Sequence, residues 1–223
     1  MLTVHHLNNS RSQRVLWLLE ELGLEYSVVR YQRDAQTMLA PPSLRKIHPL
    51  GKSPVLVDGK HTLAESGAIL EYLVERYDTA HDFAPSPGTP EHLRYRYWMH
   101  YSEGSAMPPL LLSLVFSRLK HAPMPFFVKP VARGIADKAM SSFVSPQVKL
   151  HMDYMEAELG KSQWFAGKDF SAADIQMSFP VEAAAARVGF KDRPKLQGFL
   201  DRIHARPAYQ RALEQGGPFD LLS

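Results

Sequence analysis

Residues 51–66 read GKSPVLVDGKHTLAES, and their punctuation decides the fold of the first third of the chain. Val55-Leu56-Val57 and His61-Thr62-Leu63-Ala64 are strand-like runs. Asp58-Gly59-Lys60 lies between them, and Asp-Gly between apolar runs favours the tight turn of a β-hairpin. A helix follows at once. From Ser66 to Tyr77 the apolar residues Ile69, Leu70, Leu73 and Val74 recur at three- and four-residue steps, so this helix covers one face of a sheet.

Upstream, Leu2 to Leu7 reads as a strand and 12–22 as a helix closed by Gly23. Tyr26 to Tyr31 is a second strand of β-branched and aromatic residues, followed by a polar connection with Pro41 and Pro42 and a short helix before His48-Pro49. The order β-α-β-α-β-β-α is that of an α/β thioredoxin-like domain, placed at 1–78. Residues 79–89, rich in Pro, Gly, Ser and Thr, form a linker. Downstream, strand signals vanish and helical patterns remain at 90–119, 128–159, 171–187, 194–205 and 207–215, which predicts an all-α C-terminal helical bundle over 90–223. Pro108 and Pro109 predict a kink in the first of these helices, or two helices in place of one. Ser171 and Asp174 have the spacing of an N-terminal cap, and Pro207 suits a first turn.

Composition narrows the function. A net charge of +3, with basic residues scattered among acidic ones, argues against nucleic acid and suits a small anionic ligand. The chain has no cysteine, which excludes disulfides, thiolate metal sites and a catalytic thiol of its own, so any thiol chemistry uses a borrowed thiol. The start lacks the pattern of a signal peptide, and the apolar run from Leu110 to Phe116 is far short of the ~20 residues of a membrane span, so the expected location is the cytoplasm, with no membrane partner. The ten histidines show no metal-like spacing. Asp153, Glu156 and Glu158 read as a solvated helix face.

Three segments carry candidate chemistry. Asn8 to Arg14 gathers backbone N–H groups and hydroxyls at a helix start, a place that stabilises an anion; Ser10 or Ser12 acting only as a helix cap is the alternative. In 50–56, a cis Pro54 would turn the backbone of Ser53 outward to pair with a peptide-like ligand, while a trans proline would simply open an edge strand. Glu65 and Ser66, between strand and helix, suit the ammonium and carboxylate of a free α-amino acid end, although Ser66 as a plain cap explains the same residues.

Taken in order, Ser10, the run Gly51-Lys52-Ser53-Pro54 and the pair Glu65-Ser66, with Phe170 to Ile175 further on, resemble the glutathione transferase family over nearly the whole chain. The segments around 10–17 and 46–51 are similar to fungal and bacterial members near the theta-like, serine-using branch. The resemblance implies glutathione as co-substrate and no metal. It implies a cis Pro54, a Ser53 that pairs through its backbone with the cysteinyl part, and Glu65 and Ser66 on the γ-glutamyl end. Lys52 and His48 would lie near the glycyl carboxylate. Ser10 would donate to the sulfur and favour the thiolate, with Ser12, Asn9 and Arg11 ranked behind it. Ser53 departs from the usual aliphatic residue. The electrophile pocket is placed among Tyr97, Tyr101, Ser105, Met107 and Phe116. The implied activity is conjugation of glutathione to small hydrophobic electrophiles, or reduction of organic hydroperoxides, by a homodimer. The competing reading is a non-catalytic interaction protein that keeps the fold; a specialised isomerase or dehalogenase ranks third.

Overall fold

The computed structural model describes residues 1–221. Four strands, β1 (Leu2–Leu7), β2 (Tyr26–Tyr31), β3 (Val55–Asp58) and β4 (His61–Ala64), form one sheet in the order β2-β1-β3-β4. β1 runs parallel to β2 and antiparallel to β3, and β3 and β4 make the hairpin read from Asp58-Gly59. β1 is buried almost throughout and β2 alternates buried-side and exposed residues, as a central and an edge strand should. A 3₁₀ turn covers Pro42–Lys46.

Helix α1 (Ser12–Glu21) has Ser12 to Leu19 buried without interruption, because it packs against α2 (Ser66–Tyr77) on one side and two helices of the second domain on others. Those two are α7 (Ala172–Val188) and α9 (Pro207–Gly216). The core of the thioredoxin-like domain, centred on Leu16, Trp17, Leu56 and Leu70, is therefore continuous with that of the helical domain, centred on Trp98, Phe165 and Phe199.

Prolines shape the helical domain. The helical segment at 90–119, where Pro108 and Pro109 predict a kink or two helices, is α3 (Pro90–Tyr101), a wide π-type turn (Ser102–Ala106) and α4 (Met107–His121). Pro108 and Pro109 lie in the first turn of α4, where their missing N–H groups cost least, and the carbonyls four residues back, those of Gly104 and Ser105, lie in the wide turn. The same device corrects the expected helix at 128–159: it is α5 (Lys129–Ala139), a second π-type turn (Met140–Val144) and α6 (Ser145–Leu159), with Pro146 just beyond the turn. Helix α8 (Pro194–His204) completes the bundle.

Pro180 sits inside α7. Lacking an N–H, it leaves the carbonyl of Gln176 without its helical donor. That carbonyl instead accepts from Arg14 Nη1 and from Ser102 Oγ, each at 2.8 Å. Arg14 is fully buried, and its Nη2 also pairs with Glu103. Burial pulls this guanidinium down to about 10 while Glu103 works against that fall. One arginine thus ties the first domain to α7 and to the π-type turn between α3 and α4.

The end of α9 abuts the sheet. A Cβ on Gly216 would meet Leu16 Cδ1 at 2.9 Å, His6 Cε1 at 3.0 Å and Gln13 Oε1 at 3.1 Å. Leu16 and His6 are buried and cannot swing away, so Gly216→Ala is expected to cost about 1–3 kcal/mol through overpacking. Thermal unfolding measures this as a Tm lower by roughly 2–4 °C per kcal/mol. An unchanged Tm would mean that the end of α9 is not held against the sheet.

Candidate functional site

The register brings the candidate segments to one edge of the sheet. Leu7 ends β1 opposite Tyr31, and His5 pairs with Val55 at the start of β3, which pairs with Ala64 at the end of β4. The 8–11 loop, Ser53-Pro54 and Glu65-Ser66 therefore emerge side by side. The Ser53-Pro54 peptide is cis. The Ser53 hydroxyl donates to the carbonyl of His5 at 3.0 Å and accepts from the N–H of Leu7 at 3.2 Å, so the departure from an aliphatic residue has a structural use: it pins the loop to β1.

Leu7 N–H is shared with Ser12 Oγ at 3.3 Å. From Ser12 a chain of short contacts runs both ways, 2.7 Å to Ser10 Oγ and 2.9 Å to His6 Nδ1. Ser10 and Ser12 are both buried, and the Ser12 N–H donates to Ser10 Oγ at 3.3 Å. His6 is buried as well. Burial, followed by the charge of Arg30, lowers its pKa to about 4 against a hydrogen bond to the backbone of Gly216, so the ring is neutral at physiological pH.

Two non-glycine residues at this edge have left-handed backbones, Asn9 at φ 49° and Glu65 at φ 70°. Asparagine tolerates that region, and Asn9 Oδ1 is fixed by the N–H of Asp220 at 2.9 Å. Glutamate tolerates it poorly, at a cost of order 1–3 kcal/mol, and such residues cluster at ligand clamps. Glu65 is exposed just before α2, and Ser66 is buried in its first turn, so Ser66 is not the cap residue. Lys52 is exposed on the adjoining loop, and half-buried His48 has an Nδ1 without a partner.

The facing wall comes from the helical domain. Arg11 Nε donates to Glu103 at 2.8 Å, and the Arg11 guanidinium lies 4.8 Å from the centre of the Phe179 ring. Phe219, after α9, packs against Phe179 with centroids 6.2 Å apart. Arg11 and Arg14 together hold Glu103 ionised: burial opposes this, but their charges and hydrogen bonds leave its carboxyl below the ordinary range.

The residues proposed from sequence for the electrophile pocket are divided between the core and an outward-facing depression on α3. Tyr101 is a core residue whose hydroxyl meets His151 Nδ1 at 2.6 Å and whose ring stacks on Tyr97. Met107 is buried in the core, and Phe116 is half-buried against it. Ser105 lines, with Leu93, Tyr97 and His100, an outward-facing depression of about 640 Å³ on α3. Sequence reasoning missed Glu103 and Phe179. The available signal was Arg11 and Arg14, three residues apart on one helix face and short of a carboxylate. Among the described residues no His, Asp and Glu cluster is arranged to hold a metal ion, and no helix is long and apolar enough to cross a membrane.

A mixed sheet with a cis-proline loop beside the end of its central strand, joined to a helical bundle, defines the class: a thioredoxin-like domain coupled to an all-helical one. Residues 1–75 match the family described as "Glutathione S-transferase, N-terminal domain", and 114–207 match "Glutathione S-transferase, C-terminal domain". The chain is 38% identical to "Glutathione S-transferase 1" of Saccharomyces cerevisiae, over 96% of this chain and 95% of that one. It is 39% identical to "Glutathione S-transferase 3" of Schizosaccharomyces pombe, over 96% and 88%. A crystal structure of a glutathione S-transferase from Actinobacillus pleuropneumoniae superposes with a TM-score of 0.82 at 34% identity, covering 99% of this chain and 95% of that one. The chain belongs to the glutathione S-transferase family, a family of enzymes.

Proposed function

We propose that the chain binds glutathione along the edge formed by 8–11, Ser53-Pro54 and Glu65-Ser66 and activates its sulfur for attack on a small electrophile. The observation that carries this reading is the juxtaposition at one edge of a cis Ser53-Pro54, an exposed Glu65 in a left-handed conformation and the 8–11 loop at the start of α1. Among the described residues the Ser53 backbone makes no hydrogen bond of its own, and neither does the Glu65 carboxylate, so both are available to a ligand.

In this reading the Ser53 N–H and C=O pair with the cysteinyl residue. Glu65 receives the γ-glutamyl ammonium, and Ser66, at the positive end of α2, receives its carboxylate. Lys52 and His48 lie toward the glycyl end. Ser10 donates to the sulfur, and together with the start of α1 it favours the thiolate. The thiolate then bonds to the electrophilic atom, and the leaving group departs with its electron pair. The same thiolate suffices to reduce a hydroperoxide, with a second glutathione completing the oxidation to the disulfide. A cytoplasmic location suits a cysteine-free enzyme of a thiol co-substrate. A homodimer is supported by the apolar face of α3 and α6, where Leu93, Tyr97, Leu150 and Tyr154 are exposed.

Calorimetric titration with glutathione tests the site. Wild type is expected to bind, and Glu65→Ala to weaken binding by at least about 10-fold, the loss of one charge-assisted contact. No binding by wild type at millimolar glutathione would sink the reading and favour a non-catalytic interaction protein.

A further inference from the structure

On α5 the large apolar residues point outward and the small ones inward. Ala132 and Ala136 are buried, whereas Val131 and Ile135 are 63% and 58% exposed. A helix that served only the fold would bury the larger side chains. The turn before α5 repeats the pattern. Phe126 and Phe127 are the central residues of a turn closed by the Val128 N–H on the Pro125 carbonyl at 3.0 Å, positions where Gly, Asn, Asp and Ser are usual. They are 84% and 67% exposed, and their rings meet edge to face with centroids 5.6 Å apart. Val128, Val131 and Ile135 follow at three- and four-residue steps, so an exposed apolar stripe continues from the turn along α5.

Positive charge surrounds this tip. Residues 118–138 hold five Lys and Arg against one Asp, a net +4, while the whole chain is at +3, so the remaining residues total −1. The one acid, Asp137, is taken up by Lys120. Lys129 and Arg133 stand in the first two turns of α5, both exposed, and among the described residues neither pairs with a carboxylate.

The occupant must be one that a small tip can satisfy. Five apolar side chains are few against the about 20–30 residues a side of a stable protein interface. The tip is also set apart from the α3 and α6 face, because α4 advances about 20 Å before the turn begins. An anionic bilayer surface asks for less: apolar side chains at the headgroup boundary, with Lys or Arg beside them. Entering end-on, the tip would put Val128 and Val131 at headgroup level and Lys129 and Arg133, round the helix from them, against lipid phosphates. Pro123, Pro125 and Pro130 stiffen the turn, so little chain entropy is lost on insertion.

We propose that the tip formed by Phe126, Phe127 and the start of α5 docks the protein peripherally on an anionic lipid surface, with both rings inserted and Lys129 and Arg133 on the headgroups. Such contact needs no spanning helix, and the glutathione edge takes no part in it.

Cosedimentation of the full chain with vesicles tests this, using phosphatidylcholine alone and phosphatidylcholine with one third phosphatidylserine. Wild type is expected to bind the phosphatidylserine vesicles at least about 10-fold more strongly, an advantage that shrinks as salt is added. Phe126→Ser combined with Phe127→Ser is expected to weaken that binding at least about 10-fold at an unchanged Tm, since neither ring belongs to the core. Lys129→Gln combined with Arg133→Gln is expected to cut the preference for phosphatidylserine about 10-fold. Equal binding to the two vesicles, or none, by wild type overturns the proposal, and binding that survives either paired substitution overturns the assignment to this tip. A wild type that leaves vesicles alone, and self-associates only while Phe126 and Phe127 are present, overturns it in favour of a second copy of the chain.

Discussion

Asp174→Ala is expected to destabilise the chain by about 3–5 kcal/mol, the cost of leaving buried donors without their acceptor. Asp174 is fully buried at the start of α7. Its Oδ2 accepts from the N–H of Ser171 at 2.9 Å and from the Ser171 hydroxyl at 3.1 Å, and its Oδ1 accepts from the N–H of Phe165 at 2.8 Å. The carboxylate therefore closes the first turn of α7 and fastens to it the 160–171 segment, which carries Trp164 and Phe165 into the core. Alanine abandons all three donors in a site that water does not reach. Thermal unfolding should show a Tm lower by roughly 10 °C, taking 2–4 °C per kcal/mol for a chain of this size.

Asp174→Asn separates the loss of charge from the loss of hydrogen bonds, since its amide keeps one acceptor oxygen. Burial pushes the Asp174 carboxyl up to about 7, above its unfolded value, with the three donors opposing the rise. The folded state therefore binds this proton more tightly than the unfolded one, and the group's contribution to stability falls as pH rises from about 4 to about 7. Stability measured across that window should slope downward for wild type relative to Asp174→Asn. A parallel pair of curves would show that the carboxyl stays ionised throughout.

What the sequence discloses depends on how local the cause is. The hairpin at Asp58-Gly59, the linker and the capping pair Ser171 and Asp174 are settled within a few residues, and their signals are legible in the chain. The two π-type turns are not: a proline predicts some interruption, but Pro146 lies well inside a stretch, 128–159, whose periodicity reads as one helix. The site divides the same way. Ser53 and Glu65 announce themselves by position in a motif, whereas Glu103 and Phe179 reach Arg11 from far along the chain, and only packing joins them. Tyr101 and Met107 show the limit of helical spacing, which marks an apolar face without saying whether that face meets a core or a cleft. Arg14 shows it for charge: a buried guanidinium looks like any surface arginine until the carbonyl freed by Pro180 is seen to receive it.

In the proposed glutathione complex, the chain Ser10–Ser12–His6 assigns the group that would face the sulfur. His6 is neutral and bonds to the backbone of Gly216, which leaves Nδ1 as an acceptor. Ser12 then donates its proton to Nδ1, and Ser10 donates to Ser12, so in the resting protein the Ser10 proton points inward. In the proposed complex a thiolate would be the stronger acceptor, because charge-assisted hydrogen bonds are about twice as strong as neutral ones, and Ser10 would turn to it at the cost of one neutral bond. Ser12 still receives the N–H of Leu7 after that rotation. Ser10→Ala is therefore expected to raise the pKa of the bound glutathione thiol by about 1–2 units, with activity below that pKa falling about 10- to 100-fold. Ser12→Ala should leave the thiol pKa unchanged or lower, since it releases the Ser10 proton, while costing about 1–2 kcal/mol of stability through the abandoned His6 and Leu7 contacts. The ultraviolet absorbance of the thiolate, followed against pH in each complex, reads both values directly. A rise in Ser12→Ala equal to that in Ser10→Ala would make Ser12 the donor, and no rise in either would move the role to Asn9 or Arg11.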